Sequence, residues 1–219
     1  MAKPPPTVGS STYERIKRDI IFGTLAPGSK LKLDGLKERY SASVSTLRET
    51  LNRLASDGFV AAEEQRGFFV TPVSKEDLRE IASLRLLLER HALQQSIANG
   101  DTDWEGDVVA AHHKLHRMEL QMQSGDETEK ETWKRYDWEF HLATIAACGS
   151  NNLLSIHRTI YDKYLRYQML VLTYRGEEAV EEHREIFEAA LARDANKATK
   201  HLRTHIERGL DHTLDAFEF

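Results

Sequence analysis

The stretch Leu36-Lys37-Glu38-Arg39-Tyr40-Ser41-Ala42-Ser43-Val44-Ser45-Thr46-Leu47-Arg48-Glu49-Thr50-Leu51 decides the fold of the first third of the chain. Leu36 anchors a short helix opening at Leu33-Asp34 and running through Tyr40, and Ser41–Ser43 is a tight connection. Val44, Leu47, Leu51 and Leu54, spaced three, four and three apart, predict a second helix from about Ser43 to Asp57, stopped by Gly58. Upstream, Ser10 or Ser11 is placed to N-cap a helix carrying Tyr13, Ile16, Ile20 and Ile21. That helix ends at Gly23, and Ala26-Pro27-Gly28 reads as a turn. Downstream, Phe59–Ala61 and Phe68–Val70 flank Glu63–Gly67 and predict a hairpin with a polar tip. Three helices followed by a hairpin outline a winged helix-turn-helix over residues 10–72.

A Pro-rich polar segment, residues 1–9, reads as a mobile arm, and residues 73–76 as a linker with Ser74 a helix cap. From residue 77 to 219 the pattern is helical throughout, with helices expected at about 75–98, 104–123, 130–147, 151–173, 177–193 and 195–216. Asn99-Gly100, Ser124-Gly125-Asp126, Gly149-Ser150 and Arg175-Gly176 punctuate them. The fold class expected is mainly α: a winged helix-turn-helix followed by an all-α bundle of six to seven helices.

The 219 residues carry 30 Lys and Arg against 35 Asp and Glu, a net charge of −5. Taken whole, that balance argues against a generic nucleic-acid or anionic-membrane binder. The average conceals a split. Residues 1–72 hold 11 basic and 8 acidic residues, a net of +3, whereas residues 73–219 carry −8 and all ten histidines. Two domains with different tasks are implied. Cys148 stands alone, which excludes a disulfide framework and a thiolate zinc cluster and points to a reducing, cytoplasmic compartment. No apolar run approaches the ~20 residues that span a bilayer, so no membrane partner is expected.

The first turn of the second helix offers small hydroxyls, Ser43, Ser45 and Thr46, at a helix N-terminus, where a phosphate is favoured. Arg48, a turn further on, suits a bidentate contact to guanine or a bridge between phosphates. Arg66-Gly67 at the hairpin tip suits a minor groove. Each also has a bland reading, as a cap or a solvated side chain.

Residues 11–72 resemble the winged helix-turn-helix of GntR-type bacterial regulators. The resemblance is carried by Gly23–Gly28, the Leu36–Tyr40 helix, Thr46-Leu47-Arg48-Glu49, Leu54–Val60 and Arg66–Val70. It implies binding to double-stranded operator DNA. Val44 and Asp34 stand where basic residues are common in the family, and Thr46 where proline is common, which shifts base reading toward Arg48.

Sorted at 100° per residue, His112, His113 and His116 fall away from the apolar stripe of their helix and read as solvated, as does His91. Asp137 and His141 sit one turn apart inside an otherwise apolar face with Trp133, Tyr136, Phe140 and Ile145. His183 shares a stripe with Ile186, Phe187 and Ala190, and His205 one with Ala198, Leu202 and Ile206. Buried carboxylates and imidazoles require partners or a metal, and one carboxylate with three imidazoles suits zinc, nickel or manganese. The alternative is an Asp137–His141 hydrogen bond and two core histidines bonded to backbone.

The run Asp137–His141, then Glu182–Ile186 before Ala192–Ala195, then His205-Ile206, resembles the metal-binding subset of the FCD effector domain, found in the FadR-type branch of GntR regulators. The match spans about residues 77–214. It implies a divalent cation, zinc first, held by Asp137, His141, His183 and His205, with a small organic acid completing its coordination. Ser150 stands where the family often has an asparagine nine residues after the motif histidine. Arg85 lies near the centre of its helix's apolar face with Glu89 one turn on, giving either an intrahelical ion pair or an inward clamp for an effector carboxylate. The resemblance favours the clamp. Tyr167, on the stripe of Leu153, Ile156, Ile160, Tyr164 and Val171, offers a further hydroxyl.

The expectation is therefore a regulator, not an enzyme: a homodimer on paired half-sites, a repressor of a catabolic operon whose operator affinity changes with effector. Apolar residues all around helix 75–98, Leu84 and Leu86–Leu88 among them, suggest where a partner packs. Two alternatives are a metal-dependent hydrolase built in the bundle and a helical scaffold with merely buried histidines. No inward general base for hydrolysis is evident.

Overall fold

The computed structural model describes residues 8–125, 129–171 and 174–217. The chain divides into two compact units, one up to Ser74 and one from Lys75. The expected arm residues 1–7, Asp126 and the last two residues of the helix expected at 151–173 lie outside the described residues.

The first unit runs α1 (Val8–Ile21), β1 (Lys30–Leu31), α2 (Leu33–Tyr40), α3 (Val44–Ser56), β2 (Val60–Glu63) and β3 (Gly67–Val70). Leu47, Leu51 and Leu54 of α3 are sealed from solvent together with Ile16 and Ile20 of α1 and Val70 of β3. The three-four spacing therefore builds the core. Ser41 ends α2 in a left-handed conformation, φ 51°. Ser43 caps α3, its side chain accepting from the Thr46 amide. Gly58, at φ 80°, closes α3. Phe59 N–H bonds Leu54 carbonyl (2.9 Å) and Gly58 N–H bonds Ala55 carbonyl (3.0 Å), the paired closure of a Schellman end.

The wing is an antiparallel sheet in the order β1-β3-β2, with Val60 opposite Val70 and Glu63 opposite Gly67. Two details depart from expectation. Strand β1 pairs Lys30 with Phe69 and Leu31 with Phe68, and two residues are too few to leave an alternating pattern. Helix α1 begins at Val8, so Gly9, Ser10 and Ser11 lie within it rather than ahead of it.

The second unit holds six helices: α4 (Lys75–Asn99), α5 (Thr102–Gln123), α6 (Lys130–Ile145), α7 (Asn151–Val171), α8 (Glu177–Leu191) and α9 (Ala195–Ala216). Helix α4 opens at Lys75, where the helix expected at about 75–98 begins, and takes in two of the four residues read as linker. Trp104, Val108, Leu115, Phe140, Ile186, Leu202 and Ile206 belong to one buried cluster. Trp104 also donates from Nε1 to the Ala143 carbonyl at 3.0 Å, tying α5 to α6. Asp101 and Asp194 cap α5 and α9 through the amides of Trp104 and Lys197, each at 2.9 Å.

Two expectations about helix faces are corrected. Ile156 is 56% exposed, and the inward face of α7 is His157, Tyr161, Tyr164 and Tyr167. Polar aromatics, which hydropathy undercounts, rotate that face by about one residue. His112 is half-buried rather than solvated, its ring stacked on Phe187 at 4.1 Å. Burial lowers its pKa to about 4.

Candidate functional site

Asp137 and His141 project from successive turns of α6, His183 from α8 and His205 from α9, and all four are buried. One ligand atom from each lies within 4.8 Å of all the others. His141 Nε2 is 3.2 Å from His205 Nε2, and His183 Nε2 is 3.0 Å from Asp137 Oδ1.

Three further carboxylates set the rings. Glu89 of α4 meets His141 Nδ1 at 3.0 Å, Glu119 of α5 meets His183 Nδ1 at 2.6 Å, and Glu182 of α8 meets His205 Nδ1 at 2.9 Å. Each carboxylate takes the Nδ1 proton, so each Nε2 faces the centre of the cluster, as outer carboxylates do for metal-binding histidines. Tyr161 donates to Asp137 Oδ2 at 2.9 Å and leaves Oδ1 for the cluster. His183 Nε2 is buried, with Asp137 Oδ1 facing it at 3.0 Å. His141 and His205 nitrogens bearing lone pairs stand at contact distance, an arrangement that calls for a cation. The residues fit a divalent metal: three imidazole nitrogens and one carboxylate oxygen suit zinc, nickel or manganese.

Without an ion, the electrostatics favour the ligating form at two of the three rings. Burial alone would raise the Asp137 pKa, yet Lys134, His183 and His141 hold it well below the carboxylate range. His183, despite burial, is pushed up to about 9 by Glu119 and Asp137. Burial and the neighbouring imidazoles push His205 well down, and burial lowers His141. Two of the three rings are thus kept neutral, the form that ligates.

Beside the cluster lies a cavity of about 20 Å³. Asp137, His183 and His205 line it, as do Arg85, Lys134, Tyr164, Gln168 and Arg175. Arg85 is fully buried, its Nε 2.7 Å from Glu89 Oε1 and its guanidinium between the rings of Tyr161 and Tyr164, at 4.5 and 4.7 Å. The ion pair and the inward placement, weighed as alternatives from the sequence, coexist. Ser150 is elsewhere: it precedes α7 and its Oγ accepts from the Leu153 amide at 3.2 Å. Tyr167 is buried away from the cavity, donating to Asp77 at 2.6 Å.

The sequence reading missed Glu119, Lys134, Tyr161 and His157, the last fully buried and 2.8 Å from Glu89. A signal existed for Glu119, which continues the Val108, Ala111, Leu115 stripe toward Met122. A carboxylate in an apolar stripe asks for a buried partner just as a histidine does.

On the first unit, Ser43 and Ser45 are exposed and Thr46 half-buried at the start of α3, with Ser43 Oγ 2.9 Å from both other hydroxyls. Arg48 is exposed on the next turn. Arg66 is exposed beside Gly67, pairs with Glu63 and lies 5.4 Å over the Phe69 ring.

A winged helix-turn-helix joined to an all-helical unit with an inward histidine cluster defines a DNA-binding transcriptional regulator with a second, helical module. The comparisons give the same class. Residues 9–70 match the gntR family of bacterial regulatory proteins and residues 80–208 match the FCD domain. The chain belongs to the GntR family and carries an FCD domain. It is 37% identical over 202 residues to the HTH-type transcriptional regulator BphR of Paraburkholderia xenovorans, covering 91% of this chain and 82% of that one. It is 33% identical over 202 residues to the HTH-type transcriptional repressor GlaR of Escherichia coli, covering 89% and 90%. Among solved structures, E. coli McbR/YncC shares the fold with a TM-score of 0.82 at 19% identity, covering 98% and 100%. Among the described residues no helix is long and apolar enough to cross a membrane.

Proposed function

We propose that this regulator is a metal-dependent, acid-responsive repressor of the FadR-type branch, acting as a homodimer on a two-half-site operator. In that reading Ser43, Ser45 and Thr46 meet phosphates, Arg48 reads a base edge, and Arg66 and Gly67 enter the minor groove. Asp137, His141, His183 and His205 hold a divalent cation, zinc first, with nickel or manganese fitting the same donors. Such an ion supplies a Lewis-acidic point for a carboxylate oxygen. Glu89, Glu119 and Glu182 keep the three Nε2 atoms turned inward, and Arg85, oriented by Glu89, presents positive charge to the acid. Helix α4, which carries Arg85 and Glu89, follows the linker directly in the chain, so a shift in their pairing biases the element that leads to the DNA-binding unit.

One observation carries the reading: four donor atoms within 4.8 Å, each imidazole backed by its own carboxylate. Homodimerisation is supported by Leu84 and Leu87 of α4, which are 45% and 66% exposed. The repressor sense is supported by the name of GlaR.

Native mass spectrometry of the purified protein, paired with a mobility shift on the DNA upstream of its gene, tests this reading. A dimer with one divalent ion per chain, whose DNA affinity changes with acetate or another short acid and loses that response in chelator, is the expected result. Metal-free protein with acid-insensitive DNA binding would overturn it.

A further inference from the structure

The periodicity of α3 groups Val44 with Leu47, Leu51 and Leu54 on one apolar stripe. The three leucines are sealed from solvent, whereas Val44 is 39% exposed. Among the described residues of the first unit it is the one large apolar side chain left exposed. A single exposed valine is ordinary on a protein surface. This one is set apart by its place and its neighbours.

Val44 is the first residue of α3, where a β-branched side chain that buries little does little for the helix. Ser43 and Ser45 on either side are exposed, and their hydroxyls lie 2.9 Å apart. Ser43 Oγ also accepts from the Thr46 amide at 3.2 Å and stands 2.9 Å from Thr46 Oγ1. The polar groups of this turn thus bond one another, and the isopropyl group of Val44 stands outside that set. Arg48, exposed one turn on, projects from the same side of the helix. The first turn of α3 carries no acidic residue, so no carboxylate there opposes a phosphate row.

In the major groove the C5 methyl of thymine is the apolar group that a base edge presents, and apolar side chains read it. The four residues from Val44 to Arg48 advance the helix by about 6 Å, less than two base-pair steps of about 3.4 Å. We infer that Val44 reads a thymine methyl group of the operator, within about two base pairs of the base that Arg48 contacts. This rests on the reading in which α3 lies in the major groove with Arg48 on a base edge. Cytosine at the same place lacks the methyl and presents an amino donor that valine leaves without an acceptor, so the side chain selects against it.

The test is fluorescence anisotropy of the full-length protein on the shortest duplex it binds from the DNA upstream of its gene. In a series of such duplexes each thymine in turn is replaced by deoxyuridine, which removes one methyl group and keeps every hydrogen-bonding group. At a thymine read by Val44 the affinity is expected to fall about fourfold, the worth of one buried methyl group. In Val44→Ala, thymine and deoxyuridine at that position are bound alike. The paired comparison cancels any general weakening by the variant. Val44→Arg is expected to move the preference at that base from thymine toward guanine, which arginine engages bidentately. A series in which no thymine methyl matters overturns the inference, as does a methyl effect that persists undiminished in Val44→Ala. If Arg48→Ala still relaxes the preference at one base pair, the placement of α3 in the groove stands without Val44. If no substitution in α3 changes any base preference, that placement falls with it.

Discussion

His183 Nδ1 lies 2.6 Å from Glu119 Oε1, on the far side of the ring from Asp137, and both side chains are sealed from solvent. The contact joins α5 to α8 and fixes which nitrogen of His183 faces the cluster. Glu119→Gln keeps the shape but removes the charge that makes the ring a strong donor. Metal affinity, measured by chelator competition, is expected to fall about ten- to a hundredfold with the fold intact. An unchanged affinity would mean that the carboxylate only fills space.

Metal binding to the folded chain alone stabilises it by mass action. At free metal about a hundred times the dissociation constant, the gain is about 2.7 kcal/mol. Differential scanning calorimetry of stripped and zinc-loaded protein should show it as a rise in Tm. Asp137→Ala and His205→Ala should abolish the rise. A rise that persists in both variants would place the ion elsewhere.

Arg85 and Glu89 form a buried pair one turn apart on α4, and Glu89 also meets His141 and His157. Removing one partner strands the other's charge. Arg85→Met is expected to destabilise the second unit by about 3–5 kcal/mol in urea unfolding, with Arg85→Met/Glu89→Met recovering part of the loss. If the single variant is as stable as the parent, the pair contributes nothing.

Much of this was legible in the sequence, for reasons that differ by element. The six helices of the second unit announced themselves because each carries an apolar stripe, and four of the five breaks between them hold a glycine. Asp137, His141, His183 and His205 stood out because ionisable groups on apolar stripes are rare. What stayed hidden depended on contacts between helices. Glu89 looked like half of a local ion pair, and nothing in its own helix shows that it reaches His141 and His157. His157 was masked because Ile156 and Ile160 suggested a different face for α7. His112 looked solvated on its own helix and is covered by Phe187 from α8. Periodicity reports which side of an element is inward, not what meets it there.

His112 gives a pH dependence with a definite sign. Its folded-state pKa is lowered to about 4 by burial, and the unfolded value is 6.5. Between these values the unfolded chain binds the extra proton. The neutral ring's contribution is therefore complete above pH 6.5 and is lost as pH falls toward 4. His112→Phe keeps an aromatic ring against Phe187 and removes the titration. Unfolding free energies from pH 7 to 4 should fall less steeply in the variant, by about one proton's worth of slope. Parallel curves would assign the acid loss to other groups.

Arg48 and Arg66 allow two kinds of DNA contact to be told apart. Both are exposed, so truncation leaves the unit's core untouched. A bidentate contact to a base is lost only at one position of the site. Arg48→Ala is then expected to weaken operator binding by about 1–3 kcal/mol and to relax preference at that base pair. A phosphate contact is lost on every sequence alike. Arg66→Ala, which removes a charge from the minor groove between the phosphates, is expected to weaken all sites about equally and to lower the slope of log K against log salt by about one. Fluorescence anisotropy over a salt series, with the operator and with base-substituted duplexes, separates the two. Should Arg48→Ala weaken all duplexes equally, Arg48 is a phosphate anchor. Reading would then fall to Ser43, Ser45 and Thr46, whose short side chains require α3 to sit closer to the groove floor.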